Sequence, residues 1–403
     1  MKFSFILVVL TFTIVPNSGI ANKPIEFDKK AFIEVQRSQV RVSDLAQELG
    51  EESDSEVQQT AYGQVGFDIN LWGHSIDSNI FFRQTQSYLL ENESNVTNYS
   101  LYPKRTIARD LFKMEHINET GEDRSELVLN EFSYDWGDDE VWFTFGRMHI
   151  VYGEGVFSNP INPFNYSSGF ANTYGINLAN DGMEFLIGKK DDLKLHIYLL
   201  ADRSFNNYED EKVARTIFLR GEWAVNPATN INYVLGEDQK RHKYGVEVSR
   251  KITEQRKGYL QLVRYSQRLD KEEVYAKGLT HFLLGYQLEP NTRQAFTIEF
   301  GKQQRNTLDQ SYDPINHLPF EGFAAISSRL SHSDKWSSEL GFTQDTDSDY
   351  RFYKVSTTYD LGKFNNIRLF HTGPLTTSTS EDLDYTSQRY IPTETGIAVR
   401  AHF

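Results

Sequence analysis

The feature that most constrains the fold is an alternation of apolar and polar residues that begins near Tyr62 and continues to Phe403. Within 193–199, leucine and isoleucine occupy every odd position, while lysine, histidine and tyrosine occupy the even ones. The same contrast recurs in 217–225, 244–249, 296–300, 336–343 and 394–403. A period of two is that of a β-strand whose two faces meet different surroundings. Residues 59–403 are therefore predicted to be all-β.

Two all-β architectures alternate in this way, a soluble sandwich with its apolar face inward and a membrane barrel with its apolar face outward. The predicted strands are about nine to twelve residues long, near the length that a tilted membrane strand needs. Their polar face carries full charges, and their apolar face often ends in Tyr, Trp or Phe, as in an aromatic girdle. A barrel also explains why a chain that is 14% aromatic has a mean hydropathy of −0.54. We therefore predict a transmembrane, antiparallel, up-and-down β-barrel.

The predicted connections between strands alternate in length. From the C-terminus, long 372–392, 306–320 and 153–181 alternate with short turns such as 362–363 and 290–292. Outer-membrane barrels have short periplasmic turns and longer external loops, so this parity also predicts that both termini are periplasmic. The order fails only early in the chain, where 91–104 is long and 119–122 is short. The prediction is therefore about 18 strands, with 16 as the alternative.

The N-terminal residues predict export. Lys2 is followed by the apolar run Phe3–Val15 and the small residues Ser18–Ala21, a pattern typical of a signal peptide over 1–21. The apolar run is too short to span a bilayer core of about 30 Å. Residues 22–58 lack the barrel's regular alternation, and 31–49 can be drawn as a helix. We expect this segment to be periplasmic and either helical or disordered, and whether it plugs the lumen stays open.

The chain ends with Ile397, Val399, Ala401 and Phe403 at alternate positions. This ending resembles the C-terminal assembly signal of Gram-negative outer-membrane proteins, although Ala401 stands where a larger apolar residue is more usual. The resemblance implies a place in the outer membrane, in contact with its lipid and lipopolysaccharide. It does not specify a substrate.

The connection 153–181 is the candidate functional segment. No charged residue occurs from Gly155 to Asn180, in a protein that is 24% charged. Amides and aromatic rings suit sugars, to which they offer hydrogen bonds and flat apolar faces. The candidates for pore constriction or substrate contact in this loop are Asn159, Asn162, Phe164, Tyr166 and Tyr174. A loop of this length either folds into the barrel and narrows it, lies on top as a binding surface, or packs on itself.

A second resemblance lies just before and within this loop. The residues are Gly146-Arg147, then Tyr152-Gly153-Glu154-Gly155, then Asn159-Pro160 and Asn162-Pro163. They resemble a stretch found in several porin-like families, with alginate-export barrels as a distant comparison. The resemblance implies that Arg147 and Glu154 lie near the lumen at the base of the loop, as further constriction candidates. Alternatively, the two side chains pair with each other and brace the loop.

Strand parity places charges of both signs on the polar face of the predicted barrel. A wall of this kind polarises water and solutes that pass along it. Each charge interacts with lumen water, with a neighbouring strand or with a solute, and the pattern does not separate these roles. The lumen-facing candidates are Lys194, Arg220, Glu222, Glu247, Glu299 and Arg400.

Several functions are disfavoured by composition and by missing motifs. The formal net charge of −14 gives no basic surface for nucleic acid, and the absence of Cys removes thiolate metal sites and Cys nucleophiles. No Gly-x-Ser-x-Gly motif and no convincing metal-ligand or phosphate-binding pattern occurs. We therefore expect no enzyme activity, no metal and no cofactor.

Together these patterns predict a porin-like channel for passive diffusion of small hydrophilic solutes in the outer membrane of a Gram-negative bacterium. The loop 153–181 is expected to narrow it. The alternative is a barrel that binds or exports surface polysaccharide, with the same loop in contact with glycan. The identity of the solute and the oligomeric state stay open.

Overall fold

The computed structural model of the chain describes residues 26–41, 55–71, 74–86, 115–120, 123–138, 140–162, 179–188, 193–206, 210–238, 241–266, 279–305, 322–346, 351–362, 365–375 and 393–403. Their regular secondary structure consists of β-strands. These are β1 (Glu26–Arg41), β2 (Ser55–Leu71), β3 (His74–Gln86), β4 (Glu115–Thr120), β5 (Asp123–Gly137), β6 (Val141–Met148), β7 (Asn180–Gly188), β8 (Leu193–Asn206), β9 (Asp210–Asn226), β10 (Thr229–Asp238), β11 (Arg241–Thr253), β12 (Arg256–Tyr265), β13 (Leu279–Asn291), β14 (Gln294–Arg305), β15 (Gly322–Ser331), β16 (Trp336–Asp345), β17 (Arg351–Gly362), β18 (Asn365–Pro374) and β19 (Thr393–His402).

Eighteen of these strands form a closed antiparallel up-and-down barrel. Each pairs with its neighbours in the chain, and β1 closes the ring by pairing with β19 from Phe32↔His402 to Arg41↔Thr393. The short strand β4 is additional. It pairs with 123–128 of β5, along the same edge on which β6 pairs with 132–137. The prediction of 18 strands is confirmed, and β4 accounts for the irregular order of long and short connections early in the chain.

The expectation that residues 22–58 are helical or disordered is wrong for the part that the structure describes. Residues 26–41 form β1, and β2 begins at Ser55. A barrel has no free edge, so its first strand must hydrogen-bond to the last. β1 does so on one side and pairs with β2 along its whole length on the other, from Glu26↔Asn70 to Arg41↔Ser55. Strand pairing on both sides therefore overrides the weak local pattern.

The alternation of the sequence becomes the two faces of the barrel wall. On β9, Ile217 and Trp223 are 50% and 49% exposed, whereas Phe218 points inward and is fully buried. Exposed Leu, Val, Ile and aromatic side chains recur at the outward positions of the other strands. An apolar band around a barrel is the surface that the hydrocarbon core of a bilayer stabilises. No helix among the described residues is long and apolar enough to cross a membrane.

The two ends of the barrel differ. At the end where β1 begins and β19 finishes, all eight connections contain two to four residues. We call this the short-turn end. Asp138 shapes one of its turns, because its Oδ1 accepts the backbone N–H groups of Glu140 and Val141 at 2.9 Å each. These bonds lower the pKa of the exposed Asp138 carboxyl.

Connections at the opposite, long-loop end include 87–114, 149–179 and 375–392. Two other connections at this end are short. β8 and β9 extend until only 207–209 separates them, and only 239–240 separates β10 from β11. Strand pairing continues through charged residues there, such as Arg203↔Val213, because strands beyond the apolar band no longer need an apolar face.

Candidate functional site

Residues 149–162, named here the inward segment, leave the end of β6 and run through the interior of the barrel. The backbone N–H of Glu154 donates to Glu247 Oε2 on β11 at 2.8 Å. The N–H groups of Val156 and Phe157 donate to Glu299 Oε1 and Oε2 on β14 at 2.6 and 2.8 Å. β14 lies eight strands around the ring from β6. The inward segment therefore crosses the lumen toward the opposite wall.

Gly153 starts this crossing. Its φ of 84° lies in the left-handed region, which favours glycine. A Cβ atom at this position would lie 2.3 Å from Asn159 Oδ1, so a larger residue would also collide with the returning part of the segment. The turn directs the following residues at the wall formed by β11 to β14.

The far part of the inward segment is bound through its carbonyl groups. Lys243 Nζ on β11 donates to the carbonyls of Pro160 and Ile161 at 3.0 and 2.8 Å. Gln261 on β12 accepts the N–H of Ile161 at 3.2 Å and donates to Glu247 Oε2 at 2.6 Å. Lys243, Glu247, Gln261 and Glu299 are all fully buried. The wall thus binds the backbone of the segment through charged side chains. Its glutamates accept from N–H groups, and its lysine donates to carbonyls.

Apolar contacts complete the seat of the segment. Ile150, Tyr152 and Ile161 belong to a buried cluster with inward side chains of β8, β9, β10 and β12. Phe157 joins a second cluster formed by Tyr259, Leu283, Phe323, Ala325 and Phe352. Gly245 lies between Lys243 and Glu247 on β11 and leaves room for Ile161. A Cβ atom at Gly245 would lie 3.5 Å from Ile161 Cγ1. The inner wall from β8 to β17 is therefore shaped to receive the segment.

Asn159 and Asn162 hold the segment in its own fold. Asn159 Nδ2 donates to the carbonyl of Tyr152 at 2.6 Å, and Asn159 Oδ1 accepts from Gln261 at 3.1 Å. Asn162 Nδ2 donates to the carbonyl of Ile150 at 3.1 Å. These amides are engaged inside the protein. Of the other loop candidates, Phe164, Tyr166 and Tyr174 lie outside the described residues.

Arg147 and Glu154 do not pair with each other, so that interpretation is wrong. Arg147 forms a two-bonded pair with Asp181, with Nε–Oδ1 at 2.6 Å and Nη2–Oδ2 at 3.0 Å, and donates to the Leu129 carbonyl at 2.8 Å. Arg147 and Asp181 are opposite each other in the β6–β7 register. By strand parity Arg147 belongs to the outer face, with the exposed Val141 and Phe145. Its own side chain is nevertheless only 3% exposed. It therefore ties together the two ends of the long loop and does not line the lumen.

Glu154 lies further along, in the lumen. Its carboxylate contacts Lys257 Nζ on β12, and both side chains are about one quarter exposed. Its carbonyl accepts a long hydrogen bond of 3.5 Å from Gln287 on β13. The neighbouring Val151 and Val156 are 62% and 44% exposed. The segment thus makes an ion pair with the wall through Glu154 and exposes the apolar side chains of Val151 and Val156.

His149 begins the inward segment. Its Nε2 lies 3.9 Å from Glu131 Oε2 and 3.3 Å from Asn130 Nδ2. Burial lowers the pKa of the His149 imidazole, because desolvation disfavours the charged form.

All six predicted lumen charges lie on the inner face, but their surroundings differ. Glu247 and Glu299 are buried beneath the inward segment. Arg220 pairs with Glu222 at 3.0 Å, and its guanidinium lies 4.6 Å from the centre of the Tyr152 ring. Lys194 is opposite Glu222 in the strand register. Arg220, Glu222 and Lys194 thus lie on two neighbouring strands, and Arg220 contacts the start of the segment through Tyr152.

Arg400 belongs to a group on the opposite wall, at the seam where the barrel closes. Glu34 on β1 accepts from Arg368 Nη2 at 2.8 Å and from Arg400 Nε at 2.7 Å. Arg400 also donates to the Tyr62 hydroxyl at 2.7 Å and lies over the Phe32 ring. The Glu34 side chain is 3% exposed, whereas the two arginines are 22% and 27% exposed. The seam therefore carries its own compensated charges.

Sequence reasoning missed several residues that hold the segment. Tyr259 donates to Glu299, and Asn232 Nδ2 donates to Glu247 Oε1 at 2.7 Å. Gln261 and Asp181 were also missed, and strand parity placed Lys243 on the inner face without revealing its role. The inward parity of Lys243 and Gln261 was a usable signal, but their partners are about 80 to 100 residues away in the chain. No group of three or more His, Asp or Glu in the described ranges has the geometry of a metal site.

No protein-family model and no curated protein matches the chain. Solved structures do match it. Acinetobacter baumannii OccAB3 is 9% identical, with a TM-score of 0.53 over 93% of this chain and 99% of that chain. Pseudomonas aeruginosa OccK8 (OprE) is 8% identical, with a TM-score of 0.54 over 93% and 98%. Pseudomonas aeruginosa OccD3 (OpdP) is 10% identical, with a TM-score of 0.53 over 93% and 91%. At these identities the similarity establishes a shared fold, a large closed β-barrel.

Proposed function

We propose that this protein is a porin-like channel for passive diffusion of small hydrophilic solutes, narrowed by the inward segment of the loop 153–181. The similar solved structures are outer-membrane channels of Gram-negative bacteria and not enzymes. The observation that carries the proposal is the path of the inward segment, which leaves β6 and is bound by Glu247 and Glu299 on the far wall. A segment in this position reduces the cross-section that a solute can use.

The same proposal places the barrel in the outer membrane, with lipid and lipopolysaccharide around its apolar band. The short-turn end, with both ends of the barrel domain, faces the periplasm, because outer-membrane barrels place their short turns there. Residues 1–21 act as the export signal and are removed. Arg220, Glu222, Lys194 and Arg400 contribute polar wall to the passage.

The test is the conductance of the purified full-length barrel in a planar bilayer. We expect ohmic single-channel steps from the wild type. A variant with 153–178 replaced by a short Gly-Ser turn keeps Arg147 and Asp181 and should conduct more, because the inward segment is gone. A control deletion within 376–391, a connection at the same end, should leave the conductance near the wild-type value. Wild-type protein that folds and inserts but gives no steps would contradict the channel.

The polysaccharide alternative predicts a different result from the same pair of proteins. Retention of the wild type on immobilised surface polysaccharide, lost on deletion of 153–178 and with no conductance in either protein, would favour it. The described part of the loop gives it little support, because Asn159 and Asn162 direct their amides to backbone carbonyls of the segment itself.

A further inference from the structure

The two carboxylates that hold the inward segment are buried without a cation. Among the described residues, the donors to Glu299 are the N–H groups of Val156, Phe157 and Ser158 and the hydroxyl of Tyr259. The donors to Glu247 are the N–H of Glu154 and the amides of Asn232 and Gln261. All of these groups are neutral, and both glutamates are 0% exposed. Burying a carboxylate is costly unless several hydrogen bonds compensate for lost water.

The inward segment depends on the same bonds. Residues 149–162 belong to no strand, so their backbone N–H groups lack the partners that a sheet supplies. Glu154, Val156 and Phe157 direct three of these groups at the two carboxylates. Each side therefore satisfies the other. Without the segment the carboxylates lose donors, and without the carboxylates the segment retains orphaned N–H groups.

We propose that Glu247 and Glu299, with Lys243, form a charge clamp that positions the constriction by binding the main chain of the inward segment. The acids bind the N–H groups of Glu154, Val156, Phe157 and Ser158, and the base binds the carbonyls of Pro160 and Ile161. They are positioning residues and act on solutes only through the segment. The effect on conductance rests on the proposed channel function, whereas the effect on the segment itself does not.

Isosteric substitutions separate the clamp from packing. Glu→Gln keeps the size of the side chain but replaces one acceptor oxygen with an NH₂ group, which faces the segment's own donors. Glu299→Gln thus sets a donor against N–H groups of the segment or against the Tyr259 hydroxyl. Glu247→Gln sets one against Glu154 and Gln261 or against Asn232. Lys243→Met retains the apolar stem among Phe218 and Tyr265 but removes the ammonium.

The segment can be observed directly, because the chain contains no Cys. A nitroxide attached at Val156→Cys lies between the clamped residues, at a side chain that is 44% exposed. In vesicles, the label should be immobilised on the otherwise wild-type barrel. It should shift toward a mobile spectrum in Glu299→Gln and further in the double variant Glu247→Gln/Glu299→Gln. Single-channel conductance should rise in the same order, with more flicker.

Glu339→Gln is the matched control. Glu339 lies on the inner face of β16, opposite Arg329 on β15, and carries the same charge. Its removal should leave the label immobilised and the current steady. For every variant, unheated and heated samples should migrate differently in gel electrophoresis, which shows that the barrel is folded. An immobile label and unchanged conductance in the folded double variant would overturn the clamp, as would an equal effect of Glu339→Gln. If the wild type does not conduct, the channel proposal fails while the label still tests the clamp.

Discussion

The barrel contains two kinds of buried carboxylate. Glu34 at the seam and Asp181 at the loop base are held by arginines, whereas Glu247 and Glu299 are held by backbone N–H groups and neutral side chains. The first kind is compensated within the wall, from neighbouring strands. The second kind is compensated by a segment that crosses the lumen. The comparison teaches that barrel stability and the position of the inward segment depend on separate sets of charges.

The largest effect is expected at the arginine-held pair of the loop base. Arg147→Ala leaves Asp181 buried without its cation, and breaking a buried pair by removing one partner costs about 3–5 kcal/mol. Denaturant titration of the folded barrel should show a loss of free energy of unfolding of this size. Arg293→Ala removes a pair whose side chains are 61% and 94% exposed, and should cost less than about 1 kcal/mol. Equal losses in both variants would contradict the role of Arg147.

A smaller loss is expected at the seam. Glu34→Gln weakens two charged hydrogen bonds to Arg368 and Arg400, which remain partly solvated, and should cost about 2–3 kcal/mol of unfolding free energy. The nitroxide at position 156 should stay immobilised, because no contact of the segment is changed. A mobile label in this variant would show that the two kinds of carboxylate are not independent.

The smallest effect is expected at the clamp's neutral donor. Tyr259→Phe removes one hydrogen bond to Glu299 and should cost about 1 kcal/mol, with a slight gain in label mobility that is below that of Glu299→Gln. Tyr233→Phe is the control, because the Tyr233 side chain is 40% exposed on the outer face of β10. If Tyr259→Phe mobilises the label as strongly as Glu299→Gln, the hydroxyl and not the carboxylate controls the segment.

Much of the barrel could be predicted from the sequence, because the alternation of apolar and polar residues within a strand shows which residues lie on each of its faces. The alternation over 193–199 placed Lys194 on the inner wall, and the alternation over 217–225 placed Arg220 there. β1 could not be predicted in this way. Its outward face includes Arg37 and Gln39, so the alternation weakens along the strand, and what makes it a strand is its pairing with β19 at the other end of the chain.

The site was only partly predictable for a related reason. Its first half, with Gly153 and the two Asn-Pro pairs, was found from local composition. The partners were not, since Arg147 pairs with Asp181 across the entire loop and the segment's donors meet Glu247 and Glu299 across the lumen. Such contacts depend on strand register and on the path of the loop through space. Residue types alone do not record either.

The clamp has a consequence for substitution within the segment. Its acids bind N–H groups that every amino acid except proline possesses, so those hydrogen bonds do not require a particular side chain at residue 156. Val151 and Val156, whose side chains point away from the wall, can therefore be exchanged for polar, charged or bulky residues while the main chain keeps its place. Point mutations in this segment can therefore change the side chains that the barrel interior presents, without rebuilding the wall that supports the segment.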